Sequence, residues 1–272
     1  MTTRLSPAIA CSRMYNLSPK ISGQWDRLFH WLLSQSGIDI EVIPHAAPAP
    51  LSELWSRPDM GAVFMCGFPF SRVAAAERPV PLAAPVSLAG WAKGQPVYAS
   101  HIVAARDKLF AEADFATLRW GWTVRDSQSG YNAPREFFAE IANGRSVRET
   151  IGPLLNPRGV VEAIRTGAID VGAIDAYAYQ LLELHEPDMI APLRIVATTR
   201  PAPFPLLVAA RQQPSERINA LQAALLEAHQ SPEGRDILSS LGLAGFAKPD
   251  IAAYDRLPAR AQAIDDALGG PW

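Results

Sequence analysis

Short apolar runs typical of buried strands alternate with helical patterns along this chain. Gly61–Met65 is one continuous apolar run of strand length, and 169–174 is another. Between such runs, 25–36 places its apolar residues at helical spacing and is followed by Gly37, a residue type that often ends helices. Strands that alternate with helices in this way favour an α/β architecture in which helices cover a sheet.

Two passages are the best candidates for places where the chain crosses between two lobes. One is near 88–97, at the end of a proline-rich stretch, and the other is near 195–206. If the chain crosses at both, the middle third is inserted into a lobe built from both ends of the chain. A length of 272 residues is enough for two α/β lobes of ordinary size.

Charge and composition exclude several classes of partner. The formal net charge is −2 and the sequence pI is about 6.2, so the chain has no general attraction to nucleic acid or to an anionic membrane. The five histidines are scattered without the spacing of a metal site, and Cys11 and Cys66 are the only cysteines. We therefore expect no metal, no cofactor and no nucleic-acid partner.

The first thirteen residues do not read as an export signal. They contain an early arginine and a short apolar stretch interrupted by Pro7, whereas a secretory signal needs roughly 7–15 apolar residues after a basic region. No run approaches the roughly 20 apolar residues of a membrane-spanning helix. The sequence alone thus predicts a soluble protein that is cytoplasmic, or one from which a signal has been removed.

The segment 124–134 (VRDSQSGYNAP) carries the strongest hint of chemistry. It follows a predicted strand and leads into a predicted helix with Pro134 in its first turn. The first N–H groups of a helix have no partner within it and point outward, with the positive end of the helix dipole behind them. Ser127 and Ser129 add hydroxyls, and Gly130 allows close approach of a ligand. The segment suits an oxyanion such as phosphate, phosphonate, sulfonate or carboxylate; an ordinary capped loop is the alternative.

Three segments together form a wider pattern. Ser127–Arg135 reads S-x-S-G-Y-x-x-P-R, Val160–Asp175 is a predicted helix, a glycine and a strand that ends in aspartate, and Ser231–Leu238 is a predicted helix near the end. In this order and spacing, the segments resemble the phosphonate-binding protein family of ABC importers. The resemblance covers residues 98–254 and is looser before them.

The resemblance implies a type II periplasmic-binding-protein fold of the α/β class. Such a protein has two lobes, each a mixed sheet flanked by helices, with two hinge crossings. Residues 1–95 and 200–272 would then form lobe I, and 96–199 would form lobe II. The family further implies a small anionic ligand in the cleft between the lobes, an ABC transporter membrane component as partner, and a periplasmic location.

The resemblance also implies which residues bind the ligand. Ser127, Ser129, Gly130 and Tyr131 correspond to the anion-holding turn. Asp175 would suit an amine on the ligand, although capping the helix that follows is the slightly better supported alternative. Further candidates, at strand ends or just beyond the first crossing, are Tyr15, Cys66, Gly67, Phe68, Tyr98 and Ser100. Four arginines near loop ends could pair with an anion, although exposure to solvent is the default for each: Arg72, Arg125, Arg135 and Arg158.

One segment departs from the family's pattern. Where the family often has Gly-Ser-His before an anion-facing helix, this chain has Leu155-Asn156-Pro157-Arg158, so phosphonate is not assumed as the ligand. An enzyme on the same scaffold and a cytoplasmic ligand-sensing domain stay open as alternatives. An enzyme would need a nucleophile or base with an orienting partner. Cys66 and Asp175 stand alone in the sequence, which favours binding without catalysis.

Overall fold

The computed structural model describes residues 6–272, without the side chains of 112 and 113. These residues divide into two compact units. Unit 1 comprises 6–96 and Pro203–Ile251, and unit 2 comprises Val97–Ala202 and Ala252–Trp272. Residues 1–5, part of the segment that does not read as an export signal, lie outside the described residues.

Strands and helices alternate through the described chain. The strands are, in chain order, β1 (Ala8–Cys11), β2 (Ile40–Val42), β3 (Met60–Met65), β4 (Val80–Ser87), β5 (Val97–Tyr98), β6 (Ser100–Ala105), β7 (Arg119–Gly121), β8 (Glu149–Ile151), β9 (Val171–Asp175), β10 (Leu193–Thr198), β11 (Ala202–Pro203), β12 (Leu206–Ala209) and β13 (Leu243–Ala247). The helices are α1 (Pro19–Ser36), α2 (Leu51–Trp55), α3 (Gly67–Arg72), α4 (Ala133–Ile141), α5 (Pro157–Arg165), α6 (Ala176–His185), α7 (Pro187–Ile190), α8 (Ser215–Glu227), α9 (Pro232–Ser240), α10 (Ile251–Asp255) and α11 (Leu257–Leu268).

Unit 1 is built on a mixed sheet in the order β13-β4-β12-β3-β1-β2. Strand β1 runs parallel to β2 and β3, whereas β12 is antiparallel to both β3 and β4. All six residues of β3 are buried, as expected for a strand covered on both faces. The carboxyl ends of β1, β2 and β3 therefore lie at one edge of this sheet.

Helix α1 shows why the first unit folds as the sequence predicts. The Ser18 hydroxyl accepts a hydrogen bond from the Ile21 amide at the start of the helix. Gly37 then adopts a φ of 68° and donates to the Leu33 carbonyl, which ends the helix. Trp25 and Phe29 lie on the buried stripe between these caps.

Unit 2 is built on a second mixed sheet, in the order β10-β6-β9-β7-β8. Strand β7 is parallel to β8 and β9, and β6 is antiparallel to β9 and β10. A core cluster around Trp120 and Phe138 joins this sheet to α4. The Trp120 indole is fully buried and donates to the Phe115 carbonyl at 2.9 Å, so its polar group is satisfied inside the core.

The chain passes between the units three times, and the last passage corrects the predicted lobe boundaries. The first two lie at 96/97 and 202/203, where β5 and β11 pair with each other. The third lies at 251/252, so residues 252–272 belong to unit 2 and not to the lobe formed by 200–272. Long-range contacts cause this assignment, because the Trp272 ring packs 5.4 Å from Trp120.

Candidate functional site

One edge of the unit 2 sheet gathers most of the residues that the sequence proposes as ligand-binding. Strands β8 and β9 both run parallel to β7. The carboxyl ends of all three strands therefore lie at this edge. Antiparallel β6 begins there, with Ser100 paired to Asp175 in register. In open α/β sheets, ligands bind outside the carboxyl ends of the strands. We call this the carboxyl edge of unit 2.

The turn that follows β7 begins with a capping serine. Gln128–Asn132 forms one π-helical turn that continues directly into α4. The Ser127 hydroxyl accepts a hydrogen bond of 2.9 Å from the Gly130 amide. Ser127 therefore acts as the cap of this helical segment, and the Gly130 amide is not one of the outward-pointing donors expected from the sequence.

Gly130 serves packing within unit 2. The residue is buried, its carbonyl accepts from the Thr123 amide at 3.0 Å, and a Cβ atom at this position would lie 2.0 Å from the Thr123 hydroxyl oxygen. The expected need for glycine is real, but its cause is the close approach of Thr123.

Ser129 differs from its neighbours because its hydroxyl makes no hydrogen bond with any group in residues 6–272. The Ser129 carbonyl accepts a 2.9 Å hydrogen bond from the Ser100 hydroxyl. Ser100 is itself held by the Thr199 hydroxyl, which accepts from the Ser100 amide at 3.0 Å. The backbone at Ser129 is thus fixed while its hydroxyl stays available as a donor.

Thr199 is a residue that the sequence analysis missed. Thr199 makes two hydrogen bonds with the backbone of Ser100, the first residue of β6, because its amide also donates to the Ser100 carbonyl at 2.9 Å. A visible signal was its place within 195–206, the passage predicted as the second crossing. No pattern in the sequence indicates that it would pair with Ser100, which lies 99 positions earlier.

The Tyr131 hydroxyl is committed to contacts inside unit 2. It accepts hydrogen bonds of 3.0 Å from the Trp272 amide and from the Arg125 guanidinium. The ring packs edge-on against Trp122, and the side chain is almost fully buried. These contacts give Tyr131 a structural role that the family resemblance did not indicate.

The guanidinium groups of Arg125 and Arg135 both lie over the Tyr131 ring, 5.6 and 4.8 Å from its centre. Arg125 is exposed to solvent, as the sequence analysis expects for each of the four arginines, and its guanidinium also lies 5.2 Å from the Trp122 ring centre. Arg135 contradicts that default because it is only 1% exposed and forms an ion pair with Asp265. Sequence alone could not reveal this partner in α11.

Asp175 caps the helix that follows it. Its Oδ1 atom accepts hydrogen bonds from the amides of Tyr177 and Ala178, at 2.9 and 3.2 Å. Burial, reinforced by the charge of Asp175, raises the pKa of Tyr177 well above its ordinary value. The capping alternative therefore describes what this carboxylate does within unit 2.

The unit 1 candidates lie at or just beyond the carboxyl ends of β1 and β3. Tyr15 is buried, with its ring edge-on to Phe64 at 5.1 Å. Cys66 precedes α3, whose first two residues are Gly67 and Phe68. All three are buried, and the Arg72 guanidinium lies 5.6 Å from the centre of the Phe68 ring. These residues belong to unit 1, and the residues around Ser129 belong to unit 2.

Tyr98 lies in β5, at the first passage between units, and is 1% exposed.

Among residues 6–272, His, Cys, Asp and Glu form no group of three or more that could hold a metal ion. In the same part of the chain, no helix combines the length and apolar character needed to cross a membrane.

Comparison with known proteins decides the family. The sequence model for the periplasmic substrate-binding proteins of phosphonate ABC transporters matches residues 15–254. The chain belongs to this family. The resemblance seen in the three sequence segments is thereby confirmed, and the match extends through the looser N-terminal part. No curated protein matches the sequence.

Several solved structures share the fold of this chain. A binding-protein component of an ABC phosphonate transporter from Pseudomonas aeruginosa has a TM-score of 0.72 at 18% identity, covering 97% of this chain and 96% of the other. PhnD1 from Prochlorococcus marinus, in complex with methylphosphonate, has a TM-score of 0.73 at 13% identity, with 95% and 98% covered. Rpa4515 from R. palustris, with adipate, has a TM-score of 0.66 at 12% identity, with 97% and 98% covered.

These similarities confirm the predicted fold class. The substrate-binding protein has the mixed α/β architecture of type II periplasmic binding proteins, with two mixed sheets flanked by helices. The third passage of the chain, at 251/252, adds to the two crossings that the sequence suggested.

Proposed function

We propose that this substrate-binding protein captures a small oxyanion-bearing solute at the carboxyl edge of unit 2. The observation that carries the proposal is the Ser129 hydroxyl. It lies in the first turn of a helical segment, has no partner in residues 6–272, and belongs to a residue whose carbonyl accepts a hydrogen bond from the Ser100 hydroxyl. A fixed hydroxyl beside the positive end of a helix dipole is well suited to accept an anion as its partner.

The ligands of two similar structures support an anion. Methylphosphonate, bound in PhnD1, and adipate, bound in Rpa4515, both present oxyanions. Contact of the ligand with the unit 1 candidates, Tyr15 and 66–68, and with Tyr98 stays a prediction that rests on the family resemblance. Closure of two lobes over the ligand is a prediction on the same basis. For Asp175, the capping contacts support a structural role.

We also propose that the protein binds its solute without catalysis, delivers it to the membrane component of an ABC transporter, and works in the periplasm. Incubating the protein with methylphosphonate and following the phosphorus NMR signal tests whether the protein binds this ligand without converting it. Appearance of a second phosphorus product would favour the enzyme alternative.

Calorimetric titration of two matched serine variants tests the proposed site. The probes are methylphosphonate, inorganic phosphate and adipate. Because Ser129→Ala removes a hydrogen bond to a charged group worth roughly 1.5–3 kcal/mol, it should weaken binding of the oxyanion about tenfold to a hundredfold. The substitution breaks no hydrogen bond within the described chain, so the melting temperature should stay unchanged.

Ser127→Ala is the control, since it removes the cap of the same turn. It should lower stability by about 0.5–2 kcal/mol and change affinity less than Ser129→Ala does. Equal affinity of wild type and Ser129→Ala for an oxyanion that binds would remove Ser129 from the site.

A further inference from the structure

An arginine lies at the edge of the unit 1 sheet where the parallel strands β1, β2 and β3 have their carboxyl ends. We call this the carboxyl edge of unit 1. Arg13 lies there because it follows the last residue of β1 by two positions. Ligands of open α/β sheets bind outside the carboxyl ends of the strands. Arg13 is not among the four arginines that the sequence marks as possible partners of an anion.

The backbone that carries this arginine is fixed by its neighbours. Arg13–Tyr15 forms a short 3-10 turn, and the Tyr15 amide donates to the Ser12 carbonyl at 2.7 Å. The Ser12 hydroxyl in turn donates to the Asn16 side chain. The buried ring of Tyr15 packs edge-on against Phe64 at 5.1 Å. The guanidinium therefore extends from a segment that needs little ordering when a ligand binds.

The guanidinium of Arg13 has no partner among residues 6–272. Its Nε atom is buried without a hydrogen bond, and none of its nitrogens bonds to a side chain or a carbonyl in that range. Burial lowers the pKa of Arg13, but a guanidinium stays charged at neutral pH. Moving a charge out of water is unfavourable unless a partner compensates for the lost hydration.

The surroundings of Arg13 within unit 1 supply no negative charge to balance it. The titratable group that acts on Arg13 is the Cys11 thiol. Burial raises the pKa of this thiol, so it is uncharged at neutral pH. Arg135 of unit 2 shows the contrast, because that buried arginine forms an ion pair with Asp265. A partly buried cation without such a partner in the described chain is a reason to expect an anion from solution.

We infer that Arg13 binds an anionic group of the solute at the carboxyl edge of unit 1. A guanidinium offers several N–H donors in one plane, which suits a group whose two oxygen atoms share a negative charge, as in a carboxylate or a phosphonate. The inference rests on the proposed function, which requires an oxyanion. It adds a full positive charge, which the neutral Ser129 hydroxyl does not supply.

Calorimetric titration of arginine variants tests this inference. The probes are methylphosphonate, inorganic phosphate and adipate, with wild type, Arg13→Met and Arg13→Lys. Arg13→Met keeps a long side chain and removes the charge. It should therefore weaken binding of an oxyanion that wild type binds by about tenfold to a hundredfold. Arg13→Lys keeps the charge but loses the planar set of donors, so its affinity should lie between those of the other two proteins.

The melting temperature of the protein without added probe separates a ligand contact from a structural role. Because Arg13 has no partner in residues 6–272, Arg13→Met should leave this temperature unchanged or raise it. The further rise that a bound probe causes should be smaller than in wild type. Arg27→Met is the matched control in the same unit, since Arg27 is exposed and pairs with Asp236 at 2.8 Å. This control should change affinity by less than about twofold.

Wild-type affinity of Arg13→Met for a probe that binds would overturn the inference. The proposed function would still stand if Ser129→Ala weakens binding of the same probe. Equal losses of affinity in Arg13→Met and Arg27→Met would also overturn the inference, because they would reflect net charge alone. So would a lower melting temperature of Arg13→Met without probe, which would indicate a structural role. If none of the three probes binds wild type, the proposed function fails for these anions and the inference fails with it.

Discussion

Arg135 forms an ion pair with Asp265, 130 positions further along the chain. The same guanidinium nitrogen also donates to the Gly270 carbonyl at 2.9 Å. A buried cation needs such partners, because leaving water is unfavourable unless its donors are satisfied. The arginine of the S-G-Y-x-x-P-R segment therefore attaches the last part of the chain to α4.

Removing Asp265 should destabilise unit 2. Asp265→Ala leaves the Arg135 charge buried with fewer partners, and since Asp265 is itself 38% exposed, we expect a loss of about 1–3 kcal/mol in the free energy of unfolding. Urea denaturation measures it. Asp266→Ala is the matched control, because Asp266 is exposed and contacts Gln262 one helical turn away; it should change stability by less than about 0.5 kcal/mol. Equal losses in both variants would contradict the role of the pair.

Tyr131→Phe distinguishes the structural role of this hydroxyl from a role in ligand binding. The variant removes the acceptor for the Trp272 amide and the Arg125 guanidinium and keeps the ring. We expect a loss of about 1–3 kcal/mol in stability and less than a threefold change in affinity for methylphosphonate. Thermal denaturation and calorimetry give the two quantities. A tenfold loss of affinity at unchanged stability would restore Tyr131 to the ligand site.

Gly130→Ala should be destabilising because of Thr123. The added Cβ would lie 2.0 Å from the Thr123 hydroxyl oxygen, and overpacking of this kind costs about 1–3 kcal/mol. Gly23→Ala is the control in α1, where nothing lies within 4 Å of the added atom; there the higher helix propensity of alanine should stabilise by about 0.5–1 kcal/mol.

The double variant Gly130→Ala with Thr123→Ala tests the cause of that loss. Chemical denaturation of the two single variants and the double variant completes a mutant cycle. Removing the Thr123 hydroxyl and methyl should recover part of the destabilisation, which appears as non-additive free energies. Strictly additive losses would show that Thr123 is not the reason for glycine.

His101 should make stability fall in weak acid. Burial lowers the pKa of His101 from 6.5 to about 4, since the charged imidazolium loses hydration. The unfolded chain therefore binds the proton first, so this contribution is complete above about pH 6.5 and is lost as pH falls towards 4. Its size is about 3 kcal/mol, since one pKa unit corresponds to about 1.4 kcal/mol.

Urea denaturation at pH 7.5 and 4.5 checks the His101 contribution. Wild type should lose more stability between these values than His101→Gln, a variant that can still bond the Thr198 hydroxyl, which lies 2.9 Å from the histidine ring. Parallel losses in the two proteins would assign the acid sensitivity to other groups.

Local pattern was sufficient for much of the fold. The predicted helix and the predicted strand within Val160–Asp175 form α5 and β9, one on each side of Gly167. Strand β4 was missed because Pro81 and Pro85 argue against a strand. The structure pairs both prolines across the sheet, with Val208 and Phe246. Burial between β12 and β13 outweighs the local preference.

The candidate site shows where local pattern stops being informative. The sequence marks the right turn, but it cannot distinguish Ser127, which caps, from Ser129, whose hydroxyl has no partner in the described chain. That difference depends on which amide each hydroxyl reaches. Tyr131 and Arg135 look like ligand contacts because they belong to the motif, and only distant partners assign them to packing.

The third passage between the units, at 251/252, affects the order of events during synthesis. Unit 2 cannot complete its packing on Trp120 until the ribosome has produced the chain through Trp272. A nascent unit 2 would therefore expose apolar surface while residues 203–251 are being added, which is the period when aggregation is most probable and chaperone binding would help most.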